Sequence, residues 1–177
     1  MATVEKDAAY LEAGIPEMEA YLLSDELYWP ITTRGYSLPR LTIGGILLAK
    51  TRLEARGERI ESLVAQLEAV HSKWRVAWET KAGRGVQARM RLWSNYLSDY
   101  RHNPEEYADA YPHEVRYRVM LHLLLAELPA APEREELAQL DGLLRANFMT
   151  GDFVWDAELS AGFPREVYWY LYGQLRS

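Results

Sequence analysis

The sequence contains no cysteine. A disulfide, a thiolate nucleophile and a Cys-bearing zinc or iron–sulfur site are therefore excluded. Lysine is scarce, four residues against sixteen arginines, and asparagine and glutamine together number seven. That bias fits a GC-rich coding sequence or avoidance of labile amides. No apolar run approaches the ~18 residues a membrane helix needs. The most apolar stretch, LTIGGILLA from Leu41 to Ala49, stops at Lys50. The opening MATVEKDAAYLEAG lacks the basic start and apolar run of a secretory signal. The expectation is a cytoplasmic chain with no membrane association. Internal repeats, heptads and low-complexity tracts are missing as well.

What is present is apolar periodicity of the helical kind. At 177 residues, 49% hydrophobic and 26% charged, the chain has enough apolar surface for one well-filled core, so residues 1–177 read as a single domain. Helical spacing recurs almost throughout and two-residue alternation does not. The fold class expected is all-α: a compact array of about seven to nine helices, with a central buried helix and a helical hairpin.

Local signals place the elements. Gly14 to Pro16 closes a first helix and opens a second, which runs to about Asp25. ELYWPITTRGYSLPR, Glu26 to Arg40, has two prolines and a glycine and reads as a long aromatic loop. YSLPR, with Ser37 or Leu38 preceding Pro39, opens a third helix that continues through LTIGGILLAKTRLEARG; Ile43, Ile46, Leu47 and Leu48 cover more than one of its faces, so it is the expected central helix. Its adjacent Gly44 and Gly45 predict a close helix crossing, because each costs about 1 kcal/mol against alanine in a helix interior. Apolar residues from Ile60 to Trp78 predict a fourth helix ending at KAGRG. Val86 to Tyr100 then form its antiparallel partner across a turn at Gly83 and Gly85. Asn103–Pro104, Pro112 and Pro132 open further helices. PREVYWYLYGQLRS, Pro164 to Ser177, is expected to be a terminal helix whose rings pack on the aromatic loop or on a partner.

Three constellations are candidates for function. Tyr28, Trp29, Tyr36, Tyr168, Trp169, Tyr170 and Tyr172 form an aromatic set suited to protein contacts, with a second copy or another protein as partner. Glu68 and His71 are three residues apart, as are Asp99 and His102. Such pairs are the unit from which ferritin-like carboxylate–histidine metal sites are built. Asp stands where Glu is usual, however, and His71 beside Leu67 and Trp74 also reads as a core histidine. Finally, residues 71–101 hold seven Lys or Arg against two acids, whereas residues 1–30 hold seven acids against Lys6 alone. Arg75, Lys81, Arg84, Arg89 and Arg91 could grip an anion, a phosphorylated ligand or a nucleic-acid backbone. The net charge of −6 weighs against general nucleic-acid binding. Ser94, Ser98 and Ser160 sit in no nucleophile motif. The sequence therefore reads as non-enzymatic, with no cofactor, and as an interaction or structural module that self-associates or joins an assembly; the metalloprotein and the anion-binding module are its alternatives.

Overall fold

The structure is a computed structural model that describes residues 3–35 and 37–177. It is predominantly helical. Helix α1 (Thr3–Gly14) passes through a 3₁₀ turn, Ile15–Glu17, into α2 (Met18–Leu23). An extended segment follows, pinned by a two-way backbone pairing of Trp29 with Leu41. Helix α3 (Ile43–Ala55) starts at Thr42, whose side chain accepts the Gly45 N–H at 2.9 Å and caps one of the helix's unpaired donors. Helix α3 packs against α1, α5 (Arg75–His102) and α8 (Arg116–Ala126), and buries seven of its residues. Its two glycines face different neighbours. A methyl group at Gly44 would lie 3.3 Å from Leu124 of α8, and one at Gly45 would meet the Tyr10 hydroxyl of α1 at a distance no side chain allows.

The helical hairpin is corrected. Helix α4 (Glu61–Lys73) ends at Trp74, where the backbone leaves helical geometry (φ −119°, ψ 42°), and α5 runs without interruption for 28 residues through Gly83 and Gly85. The two glycines do not break it because α5 is held from outside: Gly85 packs on Leu124 of α8, and Trp78, Val86, Met90 and Trp93 are buried along its length. A glycine's cost of about 1 kcal/mol is small beside the ~1.5–3 kcal/mol from burying each large apolar side chain.

The terminal helix is corrected too, and with it the all-α class. After the short α6 (Pro104–Tyr107) and α7 (Tyr111–Glu114), then α8 and α9 (Glu133–Asn147), strand β1 (Phe148–Phe153) pairs antiparallel with β2 (Tyr172–Leu175). Phe148 lies opposite Leu175 and Thr150 opposite Gly173, with an irregularity before the Phe153–Tyr172 pair. Residues 164–177 are turns, a 3₁₀ segment (Trp169–Leu171) and β2. Gly173 explains why. It holds φ +154°, and a methyl group there would run into the Met149 carbonyl oxygen. The irregular path also sorts the rings, which a helix would have spread around its circumference. Tyr168, Tyr170 and Leu171 turn inward. The hydroxyls of Tyr111 and Tyr100 donate to the Tyr170 and Arg176 carbonyls, satisfying backbone that the small sheet leaves unpaired.

Buried side chains from α1 through β2 form one continuous cluster. Among the described residues no helix is long and apolar enough to cross a membrane.

Candidate functional site

Helices α1, α3, α5 and α8, with the segment before α3, line a half-open cavity of about 370 Å³. Its position follows from the helix faces. On α3 the residues Gly45, Leu48, Ala49 and Arg52 recur at three- and four-residue spacing and so form one stripe. The facing stripes are Lys6, Asp7 and Tyr10 on α1, Arg89 and Leu92 on α5, and Arg116, Tyr117 and Met120 on α8. Leu38, Pro39 and Arg40 close one side.

The deep end is built around Arg89, which is 9% exposed. Its Nη2 donates to Thr42 Oγ1 at 3.1 Å, Nη1 to the Tyr28 hydroxyl at 3.3 Å and Nε to Met120 Sδ at 3.2 Å. The guanidinium also lies over the Tyr28 ring, 5.7 Å from its centre. All three acceptors are neutral. Among the described residues no carboxylate pairs with Arg89, so a full positive charge is enclosed without a counter-ion. Beside it, the Tyr10 hydroxyl donates to the Arg40 carbonyl at 3.0 Å and accepts the Thr42 N–H at 3.2 Å. Burial pushes the Tyr10 phenol up from its usual range, keeping it protonated and able to fill both roles.

At the other end Arg52 grips Asp7 with two hydrogen bonds, 2.9 and 2.7 Å. Burial nevertheless raises the Asp7 pKa, outweighing the Arg52 guanidinium. Arg116 lies over the Tyr117 ring, 4.3 Å from its centre, and donates to that residue's hydroxyl at 3.0 Å. Five cationic side chains thus line the cavity, and Asp7, already engaged, is its only carboxylate among the described residues.

The residues proposed from the sequence as an anion grip are dispersed. Of the five, Arg89 alone lines this cavity. Lys81 is buried, gives its ammonium to the Ser24 and Glu26 carbonyls and sits over the Tyr21 ring; burial lowers its pKa. Arg84 donates to the Asp25 carbonyl at 2.9 Å, and Arg75 pairs with Glu79. Arg91 is exposed between α5 and α9. Lys81, Arg84 and Arg89 together fasten the segment from Ser24 to Tyr28 onto α5.

The carboxylate–histidine quartet does not assemble. His71, on α4, stacks on Trp78 at 4.4 Å with its Nε2 3.8 Å from Glu127, and Glu68 is exposed. Asp99 and His102 are exposed in the last turn of α5, where His102 Nδ1 lies 2.8 Å from the Ser98 carbonyl. The length of α5, at about 1.5 Å per residue, holds the two pairs apart. Among the described residues no cluster of three or more His, Asp or Glu side chains could hold a metal ion.

The aromatic set divides. Tyr168 and Tyr170 are buried, with Arg118 lying 4.3 Å over the Tyr170 ring. Trp169 packs edge-on to Phe148 and carries Arg145 on its face; Tyr172 contacts Phe153 and donates to the Phe163 carbonyl. Trp29 sits edge-on to Tyr21 and donates to Glu17. The tail's partners are therefore Phe148, Phe153, Phe163 and Tyr111, in place of the expected aromatic loop. Tyr36 lies outside the described residues.

Sequence reasoning missed Lys6, Arg40, Arg52 and Arg116. They come from separate elements, and no local spacing links them. The one usable signal was arginine on an otherwise apolar stripe, as at Arg89 between Val86, Met90 and Trp93. Comparison with protein-family models, curated proteins and solved structures found no match to the chain.

Proposed function

We propose that the protein binds a small organic anion in the cavity between α1, α3, α5 and α8. The observation that carries this reading is Arg89: a guanidinium enclosed among neutral acceptors, in a cavity whose remaining charged groups are mostly cationic. An enclosed charge without a partner is costly, and such groups mark sites where a ligand completes the electrostatics. The apolar and aromatic lining, with a few convergent polar groups, is the composition of a small-molecule site, and the volume lies at the lower end for such sites. Isothermal titration with octanoate and octylphosphonate tests it. Binding should be lost in Arg89→Gln and weaken with added salt; binding that survives unchanged in Arg89→Gln would refute it.

Protein association, the first reading from the sequence, is the second reading here. Exposed Val167, Met149 and Leu143, close in sequence to the sheet strands or the terminal segment, favour it. A monomeric mass at high protein concentration in sedimentation equilibrium would count against self-association.

A further inference from the structure

The cavity has basic groups at both ends and an apolar middle. At the deep end, three of the five N–H donors of Arg89 are engaged, one of them on each terminal nitrogen. One N–H on each terminal nitrogen is left over, so Arg89 keeps two donors for an anion. Two turns along α3 from Gly45, on the order of 10 Å by helix rise, Arg52 engages Asp7. Lys6 adjoins Asp7 on α1, and Arg116 stands one turn from Met120 on α8. Neither Lys6 nor Arg116 pairs with a carboxylate among the described residues. Counting Asp7 against Arg52, this end keeps an excess of two positive charges. Leu48, Ala49 and Leu92 line the wall between it and Arg89.

Resting on the anion-binding reading above, we propose that the ligand is a bipolar dianion: an apolar body carrying one anionic group for Arg89 and a second, one to two helical turns or roughly 6–10 Å away, for Lys6 and Arg116. A fatty acid or other single-headed anion would satisfy Arg89 and leave its apolar tail against the cations of the far end. Removing charge from water beside alkyl surface is unfavourable. A second anionic group turns the same contact into a charge-assisted one.

Length-matched pairs of single- and double-headed anions provide the test: octanoate against suberate, decanoate against sebacate, and octylphosphonate against octane-1,8-diphosphonate, titrated calorimetrically into the full-length protein. The double-headed member of at least one pair should bind about fivefold tighter, the equivalent of one added ion pair at a partly exposed site. In the double variant Lys6→Gln, Arg116→Gln that preference should fall to near unity, the double-headed member losing more affinity than its single-headed partner. Both side chains are only partly buried, so the variant keeps its fold, and circular dichroism checks this. Equal affinities within every pair, or a preference that survives the double variant, would overturn the bipolar ligand and leave the anion pocket standing. Failure of all six probes to bind wild-type protein at low salt would overturn the pocket itself.

Discussion

Two buried arginines, Arg89 at 9% exposure and Arg118 at 8%, should respond to the same substitution with opposite signs. Arg118 donates two hydrogen bonds to Asp141, at 2.8 and 2.9 Å, and lies over Tyr170. Arg118→Met strands that half-buried carboxylate and removes the cation from the ring. Breaking such a pair costs about 3 kcal/mol. Arg89 has no carboxylate to strand. Enclosing its charge costs several kcal/mol. The two hydroxyl acceptors return about 1.5 kcal/mol each, and the Met120 thioether is a weak acceptor. The balance is an unfavourable ~1–2 kcal/mol in the ligand-free protein. Methionine keeps the unbranched stem, Thr42 Oγ1 still accepts from Gly45, and the exposed Tyr28 hydroxyl reaches water. Arg89→Met should therefore raise stability by about 1–2 kcal/mol, seen in urea titration as a higher midpoint at unchanged slope, and should abolish anion binding. Arg118→Met should lower the midpoint. Should Arg89→Met destabilise the protein as much as Arg118→Met does, Arg89 is a structural cation and the argument for a missing counter-anion collapses.

Further predictions test the backbone and the titrating groups. Gly83→Ala should stabilise by about 1 kcal/mol, because α5 is helical there and the added methyl meets nothing within 4 Å; a lowered melting temperature would mean that the chain turns at Gly83. Gly173→Ala should destabilise by roughly 2–3 kcal/mol, since its backbone and the Met149 oxygen both reject a side chain; an unchanged urea midpoint would contradict the strand pairing. Burial, helped by Arg118, depresses the His122 pKa below its ordinary 6.5. The unfolded chain then takes up the proton first, so stability is complete above about pH 6.5 and falls as pH drops towards the folded-state value. In His122→Gln the loss of melting temperature between about pH 7 and 5 should be shallower; an identical profile would remove His122 from that dependence.

The helices were legible wherever periodicity and punctuation agreed. The opening of α6 at Pro104 and the apolar face of α5 follow from local rules, whereas α3 starts at Thr42, later than the Ser37–Pro39 start read from its proline. Misreadings arose where a local signal was outweighed by distant packing. KAGRG looks like a turn because two glycines in three residues weaken a helix, yet the partners that hold α5 together there lie some forty residues later, on α8. The tail reads as a helix because Val167, Leu171 and their neighbours have helical spacing, and because β2 has only four residues and pairs with a strand more than twenty positions upstream. The cavity was harder still. Its basic residues lie at positions 6, 40, 52, 89 and 116, and nothing in one-dimensional order brings them together.

The charge run that stood out in the sequence, residues 73–91, reports a structural task more than a binding surface. Along α5, Lys81, Arg84 and Arg89 reach in turn the Ser24 and Glu26 carbonyls, the Asp25 carbonyl and the Tyr28 hydroxyl, so three cations hold a segment that lacks regular structure to the helix beneath it. Backbone carbonyls outside helices and sheets need donors, and long cationic side chains supply them while covering apolar surface with their stems. The first two cations are consumed by that work, since Lys81 and Arg84 meet carbonyl dipoles. Arg89, at the end of the series, contacts the segment only through a phenol and also lines the cavity. The same helix thus clasps the segment and forms part of the cavity wall. It follows that Lys81→Met should loosen the 24–28 segment, read as faster amide exchange there, while an anion's affinity follows Arg89; faster exchange with equally impaired binding would show that clasp and site are one device.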